Sequence, residues 1–278
     1  MCPPGQVSHD HIIYTQRLAV RRRNPSEFLK RFSAVSVNVI MSDISIKYAV
    51  LGDIHANFEA LSAVLADAHE QGCTNYACVG DIVGYNANPK QCLEIIRKMG
   101  MPCVKGNHDE LCASDVPLHN VNPRAAAAIR WTRQQLGDAD KQWLKDLGFV
   151  RFVAGFSLVH ASLDAPERWG YVMDRLTAAV SFNYQNTSVC FCGHTHLPMT
   201  FIRDNGVRGG SYSKFKVEAG RKYLVNVGSV GEPRDGNLMA AYVIYELGAG
   251  QIELRRVAYD FAKAQAEVAG AGLMPRRI

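Results

Sequence analysis

Five short apolar runs, at residues 46–52, 76–80, 101–106, 156–159 and 189–193, each end against a polar side chain able to bind a metal. Runs of this length, bounded by glycine or polar residues, read as buried strands, and apolar positions at helical spacing lie between them. Phe58, Leu61, Leu65 and Ala68 form one such helical stripe, opened by Asn57 as an N-cap and closed by Gly72. A second helix is predicted over 89–99, with Pro89 in its first turn and Gly100 after it. The alternation predicts an α/β protein whose strands bring their polar ends to one crevice. Residues 109–148 interrupt it as a small helical insert. Asn122-Pro123 opens one helix through Gln135, Asp138 caps another through Leu147, and the stretch 110–122 leaves the crevice as a loop. The last third reads as β-rich, with strands at 222–229, 240–246 and 251–257, a hairpin at Gly248-Ala249-Gly250, and a final helix over 260–268.

The polar ends of the runs form an ordered series: Asp53-x-His55, Gly80-Asp81, Gly106-Asn107-His108-Asp109, His160, and Gly193-His194-Thr195-His196. In extended backbone, residues two apart share a side, so Asp53 with His55, and His194 with His196, are expected to grip one ion together. Glycines before Asp81, Asn107 and His194 allow a sharp bend and a close backbone approach. A lone histidine is more often a hydrogen-bonded core group. His160 stands out because the other motifs flank it in order.

Charge alters the picture of partners. The chain of 278 residues has a formal charge of +5, but residues 1–40 carry six arginines and lysines against two acids, a net of +4, leaving +1 for the other 238. A balanced body argues against a nucleic-acid polymer as partner. Residues 1–43 are expected to be a flexible basic extension and residues 44–278 the folded domain. Eight cysteines, mostly inside apolar runs, do not resemble a disulfide scaffold and point to a reducing cytoplasmic location. No stretch approaches the ~20 apolar residues of a membrane span, so no membrane partner is expected. Self-association into a homo-oligomer is compatible with this composition.

The motif series resembles that of the calcineurin-like metallophosphoesterase superfamily over about residues 45–260. Gly80-Asp81-Ile82-Val83-Gly84-Tyr85 and Asn226-Val227-Gly228-Ser229-Val230-Gly231 are similar to its small prokaryotic phosphodiesterase branch. The resemblance implies a four-layer α/β/β/α sandwich of two mixed sheets around a dinuclear centre. Asp53, His55 and His196 would hold one ion, Asn107, His160 and His194 the other, and Asp81 would bridge them. Oxygen and imidazole donors without thiolate suit two divalent ions such as Mn, Fe, Zn or Ni. The implied function is hydrolysis of small phosphodiesters or phosphomonoesters by a hydroxide shared between the ions. His108 is expected to protonate the leaving oxygen or to stabilise the charge developing on it, and Asp109 to orient His108. Arg234 is expected to contact the phosphate, and Asn57 either to support the substrate or to cap its helix. Protein phosphatases of the superfamily carry Asp-Arg where this chain has Gly84-Tyr85, which weakens a protein-phosphatase reading. The alternatives are a protein or dinucleoside polyphosphate phosphatase, or a non-catalytic binding scaffold of the same fold.

Overall fold

The structure is a computed structural model, and it describes residues 46–276. The basic extension expected over residues 1–43 lies outside them. The strands are β1 (Lys47–Leu51), β2 (Asn75–Cys78), β3 (Val150–Val153), β4 (Phe156–Val159), β5 (Val189–Cys192), β6 (Thr200–Arg203), β7 (Val207–Gly210), β8 (Lys214–Lys216), β9 (Lys222–Asn226), β10 (Ala240–Glu246) and β11 (Gln251–Val257). The helices are α1 (Phe58–Glu70), α2 (Pro89–Lys98), α3 (Asn107–Ala113), α4 (Pro123–Gln135), α5 (Asp138–Asp146), α6 (Arg175–Phe182) and α7 (Phe261–Gly270), with a short 3-10 turn at Pro166–Arg168.

Two mixed sheets form, ordered β2-β1-β10-β11-β8 and β3-β4-β5-β9-β6-β7. In the first, β1 runs parallel to β2 and antiparallel to β10, so Val50 lies beside both Ala77 and Val243. In the second, β4, β5 and β9 run parallel. The two-residue side-chain period of the strands sorts three cores. Val50, Phe156, Phe191, Val225 and Tyr245 meet between the sheets. Ala49 and Leu51 face the other way, onto Leu61, Val64 and Ile96 of α1 and α2. Cys190, Cys192 and Leu224 turn outward from the second sheet onto Ala178 and Phe182 of α6. The result is the expected α/β/β/α layering. Phe191 meets Phe156 and Tyr245 with ring centroids 5.4 and 5.6 Å away, and each such fully buried large side chain contributes about 1.5–3 kcal/mol.

Helices α1, α2 and α4 and strands β4, β10 and β11 lie where the apolar patterning predicts them. The cysteines of the described residues are free and buried, as their apolar settings imply. Segment 101–106 departs from the reading: it makes only an isolated bridge from Cys103 to Cys78. Pro102 has no N–H to continue a ladder, although its carbonyl accepts from Cys78 at 2.9 Å. The loop expected from residue 110 is also corrected, because α3 begins directly at Asn107. Asp109, three residues past Gly106, accepts the Gly106 N–H at 3.1 Å and closes the first turn. The insert is not a separate unit, since Ile129, Leu136 and Leu144 join the core beneath the first sheet. Strands β3 and β6–β8 and helix α6 were not anticipated.

Candidate metal centre

The polar ends do converge, but through backbone geometry other than the extended alternation expected of them. Asp53, His55 and Asp81 have φ of 48°, 49° and 52°, and His194 and His196 have φ of 68° and 60°. A non-glycine residue in this left-handed region costs on the order of 1–2 kcal/mol. Hydrogen bonds between loops hold them there. The N–H groups of Asp53, His55 and Ala56 donate to the carbonyls of Gly80, Asp81 and Ile82 at 3.0, 2.9 and 2.9 Å, and Gly193 donates to His160 at 2.9 Å. Two glycines permit the approach: a Cβ on Gly106 would collide with the Asp81 carboxylate, and one on Gly193 with that of Asp53.

The donor atoms then crowd one another. Asp53, His55, Asp81 and His196, all buried, each offer a ligand atom within 4.8 Å of the others. Asp81 Oδ2 stands 3.5 Å from His55 Nε2 and 3.4 Å from His160 Nε2, so it lies between two groups of donors. Asp53 Oδ1 is 3.2 Å from His196 Nε2. Asn107 Oδ1 is 3.2 Å from His160 Nε2, and the His160 and His194 rings are 5.1 Å apart.

Hydrogen bonding fixes which ring atom faces the cluster. Nδ1 of His55, His160 and His196 lies 3.2, 2.8 and 2.6 Å from the carbonyl oxygens of Val83, Val79 and Glu232, acceptors that require an N–H at Nδ1. Each ring tethered in this way turns Nε2 inward, where the neutral form presents a lone pair. His55 Nε2 and His196 Nε2 are 3.1 Å apart, an approach of two lone pairs that repels unless a positive charge sits between them. His194 Nε2 is buried without a partner. Spacings of 3.1–3.5 Å are those of neighbouring ligands around a cation held at about 2.0–2.2 Å. The residues present fit divalent metal.

Electrostatics lead to the same fit. Burial holds His55 well below the usual histidine range and lowers His108 and His194 to about 4, so these rings are neutral. Burial opposes protonation of His160 as well, yet the charge and hydrogen bond of Asp81 raise it to about 10. Two buried carboxylates thus draw a proton onto an imidazole when nothing else neutralises them, and a divalent ion replaces such a proton.

The other predicted residues divide. The His108 ring packs edge-on to His55 at 4.7 Å and against Tyr85 at 4.6 Å. It belongs to the first turn of α3 and not to a strand end, and its backbone N–H donates to Asp81 Oδ1 at 2.8 Å. The expectation that Asp109 orients His108 is corrected. His108 Nδ1 has no partner, while the Asp109 carboxylate accepts the N–H groups of Asp81, Ile82, Val83 and Gly106 at 2.8–3.2 Å. Asp109 holds a ligand loop. Asn57 accepts the Ala60 N–H at 3.1 Å and donates to the Gly231 carbonyl at 3.1 Å, which is the helix-capping role. Arg234 is exposed and borders the centre: its backbone N–H donates to the His196 carbonyl, and its guanidinium donates to the Tyr85 hydroxyl, both at 3.3 Å.

Three aromatic residues form the rim, and of these only Tyr85 lies in a sequence motif. Tyr171 stacks on His194 at 4.3 Å, Trp169 lies edge-on to His160 at 5.8 Å, and Tyr85 carries the Arg124 guanidinium 4.8 Å above its ring. Nothing in their spacing sets them apart from core aromatics.

A family model described as the calcineurin-like phosphoesterase superfamily domain matches residues 46–250. The chain belongs to that superfamily. An uncharacterized protein of Methanocaldococcus jannaschii is 37% identical over 224 residues, spanning 79% of this chain and 90% of its own. A metallophosphoesterase of Sphaerobacter thermophilus superposes with a TM-score of 0.74 at 34% identity, covering 83% of this chain and 95% of its own. A hypothetical protein of Pyrococcus horikoshii, at 19% identity and a TM-score of 0.67 over 82% of this chain and 94% of its own, shares the fold. The superfamily member described here is thus a phosphoric ester hydrolase with a buried Asp/His cluster fitted to divalent metal. Among the described residues no helix is long and apolar enough to cross a membrane.

Proposed function

We propose that this chain hydrolyses small phosphodiesters or phosphomonoesters with two divalent ions, Mn, Fe, Zn or Ni, held by Asp53, His55 and His196 on one side and by Asn107, His160 and His194 on the other, with Asp81 shared. The observation that carries this reading is the position of Asp81 Oδ2, nearly equidistant from His55 Nε2 and His160 Nε2 at 3.5 and 3.4 Å. One carboxylate facing two imidazole groups is what a shared ligand requires. Such ions, when bound, supply Lewis acidity toward phosphoryl oxygens and a water activated near neutral pH.

The protein's own residues do the rest. The Nδ1–carbonyl bonds fix the imidazoles with Nε2 inward, so no rotamer search precedes loading. Burial of the donors excludes bulk water and strengthens every charge interaction around a bound ester. His108 presses Nδ1 against Gly84, where even a Cβ would collide with it, and that leaves the Nε2–H to hydrogen-bond the departing oxygen and stabilise the charge developing there. Arg234 supplies a guanidinium at the rim for the phosphate. The experiment is turnover of a panel of aryl and alkyl phosphomonoesters and diesters by chelator-stripped enzyme reloaded with Mn²⁺, Zn²⁺, Ni²⁺ or Mg²⁺. Ester hydrolysis restored by one of these ions, with about two ions bound per chain in elemental analysis, is the expected result. Absence of hydrolysis with every ion overturns the reading.

A further inference from the structure

A cavity of about 680 Å³ opens behind the rim, and three of its walls are arginines: Arg124, Arg234 and Arg276. Its remaining lining includes one carboxylate, Glu232, which Arg124 takes up with two guanidinium nitrogens at 2.6 and 3.3 Å. Three cations against one anion leave the cavity with a formal charge of +2. Neither Arg234 nor Arg276 has a carboxylate partner among the described residues. Arg276 donates through one nitrogen to the Pro233 carbonyl, and its other terminal nitrogen is buried with no partner at all. An unpaired buried guanidinium donor costs about 1–3 kcal/mol unless something accepts from it. The N-terminal turn of α4, with Asn122 accepting the Arg124 N–H at 2.9 Å, faces the same space and adds its partial positive charge.

The cavity is joined to the metal centre through shared residues. Glu232 gives its carboxylate to Arg124 on the cavity side and its carbonyl to His196 Nδ1 on the metal side. Arg234 lines the cavity and also donates to Tyr85, whose ring lies against His108. Guanidinium groups match phosphate oxygens by bidentate bonding, and Arg276, with its free buried nitrogen, together with Arg234 at the boundary between the cavity and the metal centre, matches a second anionic group of a bound ester better than a neutral one. We propose that this cavity seats a second phosphate of the substrate, so that the preferred substrates are phosphate esters bearing another phosphate several atoms from the scissile one. This rests on the hydrolytic reading above and narrows its substrate class.

The test uses the full chain. Turnover of α,ω-alkanediol bisphosphates is compared with that of the monophosphates of the same alcohols, and binding of the bisphosphates to chelator-stripped enzyme is followed by calorimetry, which needs no chemistry. The wild type is expected to favour bisphosphates at least roughly tenfold in kcat/KM, each added bidentate contact being worth about a factor of ten or more. Arg276→Gln is expected to remove that preference through KM while monophosphate turnover serves as the internal reference. Leu238→Glu, which lines the cavity without bonding to the tail and adds a carboxylate, should do the same, so that a loosened tail in Arg276→Gln is not mistaken for the effect. Equal kcat/KM for the two substrate series, or calorimetric binding untouched by both substitutions, overturns the cavity assignment while leaving hydrolysis standing. Bisphosphate binding lost in both variants, in enzyme that hydrolyses no ester with any ion, supports the cavity and overturns the hydrolytic reading instead.

Discussion

The two sheets supply unlike halves of the metal centre. The loops after β1 and β2 bring both carboxylates, and each also organises backbone: Asp53 accepts the His194 N–H at 3.0 and 3.2 Å, and Asp81 accepts the His108 N–H at 2.8 Å. The second sheet brings three imidazoles, His160, His194 and His196, whose Nε2 atoms accept no backbone N–H. The two carboxylates therefore set loop shape and charge together, while the imidazoles, His55 of the first side included, contribute ring nitrogens. Losing a carboxylate should disturb both halves. Losing an imidazole should remove one donor.

The strongest way to break this contrast is Asp81→Asn, which keeps the shape and an acceptor for His108 but deletes the charge that both imidazole groups face. Turnover should fall by more than about 100-fold, since even partners outside the ligand shell are worth about 10–100-fold in metal affinity. Elemental analysis should show fewer ions bound; near-normal activity at full metal content would refute the shared-ligand role. His108→Ala comes next. Alkyl esters should lose roughly 10²–10⁴ in kcat and p-nitrophenyl esters far less, because the latter leave without protonation. Equal losses on the two would remove His108 from any contact with the departing oxygen.

Asp109→Ala probes the organising role without touching a donor. It strands four buried N–H groups at Asp81, Ile82, Val83 and Gly106, and urea unfolding should register a loss of about 3 kcal/mol, the order expected when several buried donors share one lost acceptor. The smallest effect is a control away from the centre. Asp67 joins α1 to the first sheet through Arg255 at 2.8 Å and the Tyr242 hydroxyl at 2.6 Å. Burial opposes its ionisation, but these partners outweigh burial and lower its pKa. A depressed carboxyl stabilises the fold above its unfolded pKa of about 3.9, and that contribution disappears as pH falls through the folded value. Asp67→Asn should therefore cost about 1–2 kcal/mol at pH 7, with the gap from wild type closing below about pH 4 and with turnover unaltered. A gap that persists in acid would mean that packing, and not charge, is what the substitution removed.

Much of this was legible in the chain itself. Runs such as 156–159 and 189–193 are buried throughout and mostly apolar because both faces of their strands are covered, and such runs announce buried strands and their polar ends without tertiary knowledge. The donors at those ends were found for the same reason. Their backbone was not, since a left-handed Asp53 or His194 is imposed by bonds to loops more than twenty residues away, which no local pattern encodes. Strands β7 and β8 include exposed, charged residues and fall below any hydrophobic signal, and β6 offers only the short pair Phe201-Ile202. Asp109 was misassigned because adjacency to His108 suggested contact, whereas the first turn of α3 aims its carboxylate back at the preceding loop. The aromatic rim and the arginine cavity are products of folding alone: Arg124 and Glu232 stand 108 positions apart in the chain.

The carbonyl tethers on the ligand rings carry a practical consequence. Because the carbonyls of Val83, Val79 and Glu232 belong to the folded backbone, the bonds that orient the rings do not depend on a bound cation. One preparation can be emptied by dialysis and refilled with each transition element in turn, and the resulting rate differences then report the element and not a rebuilt scaffold.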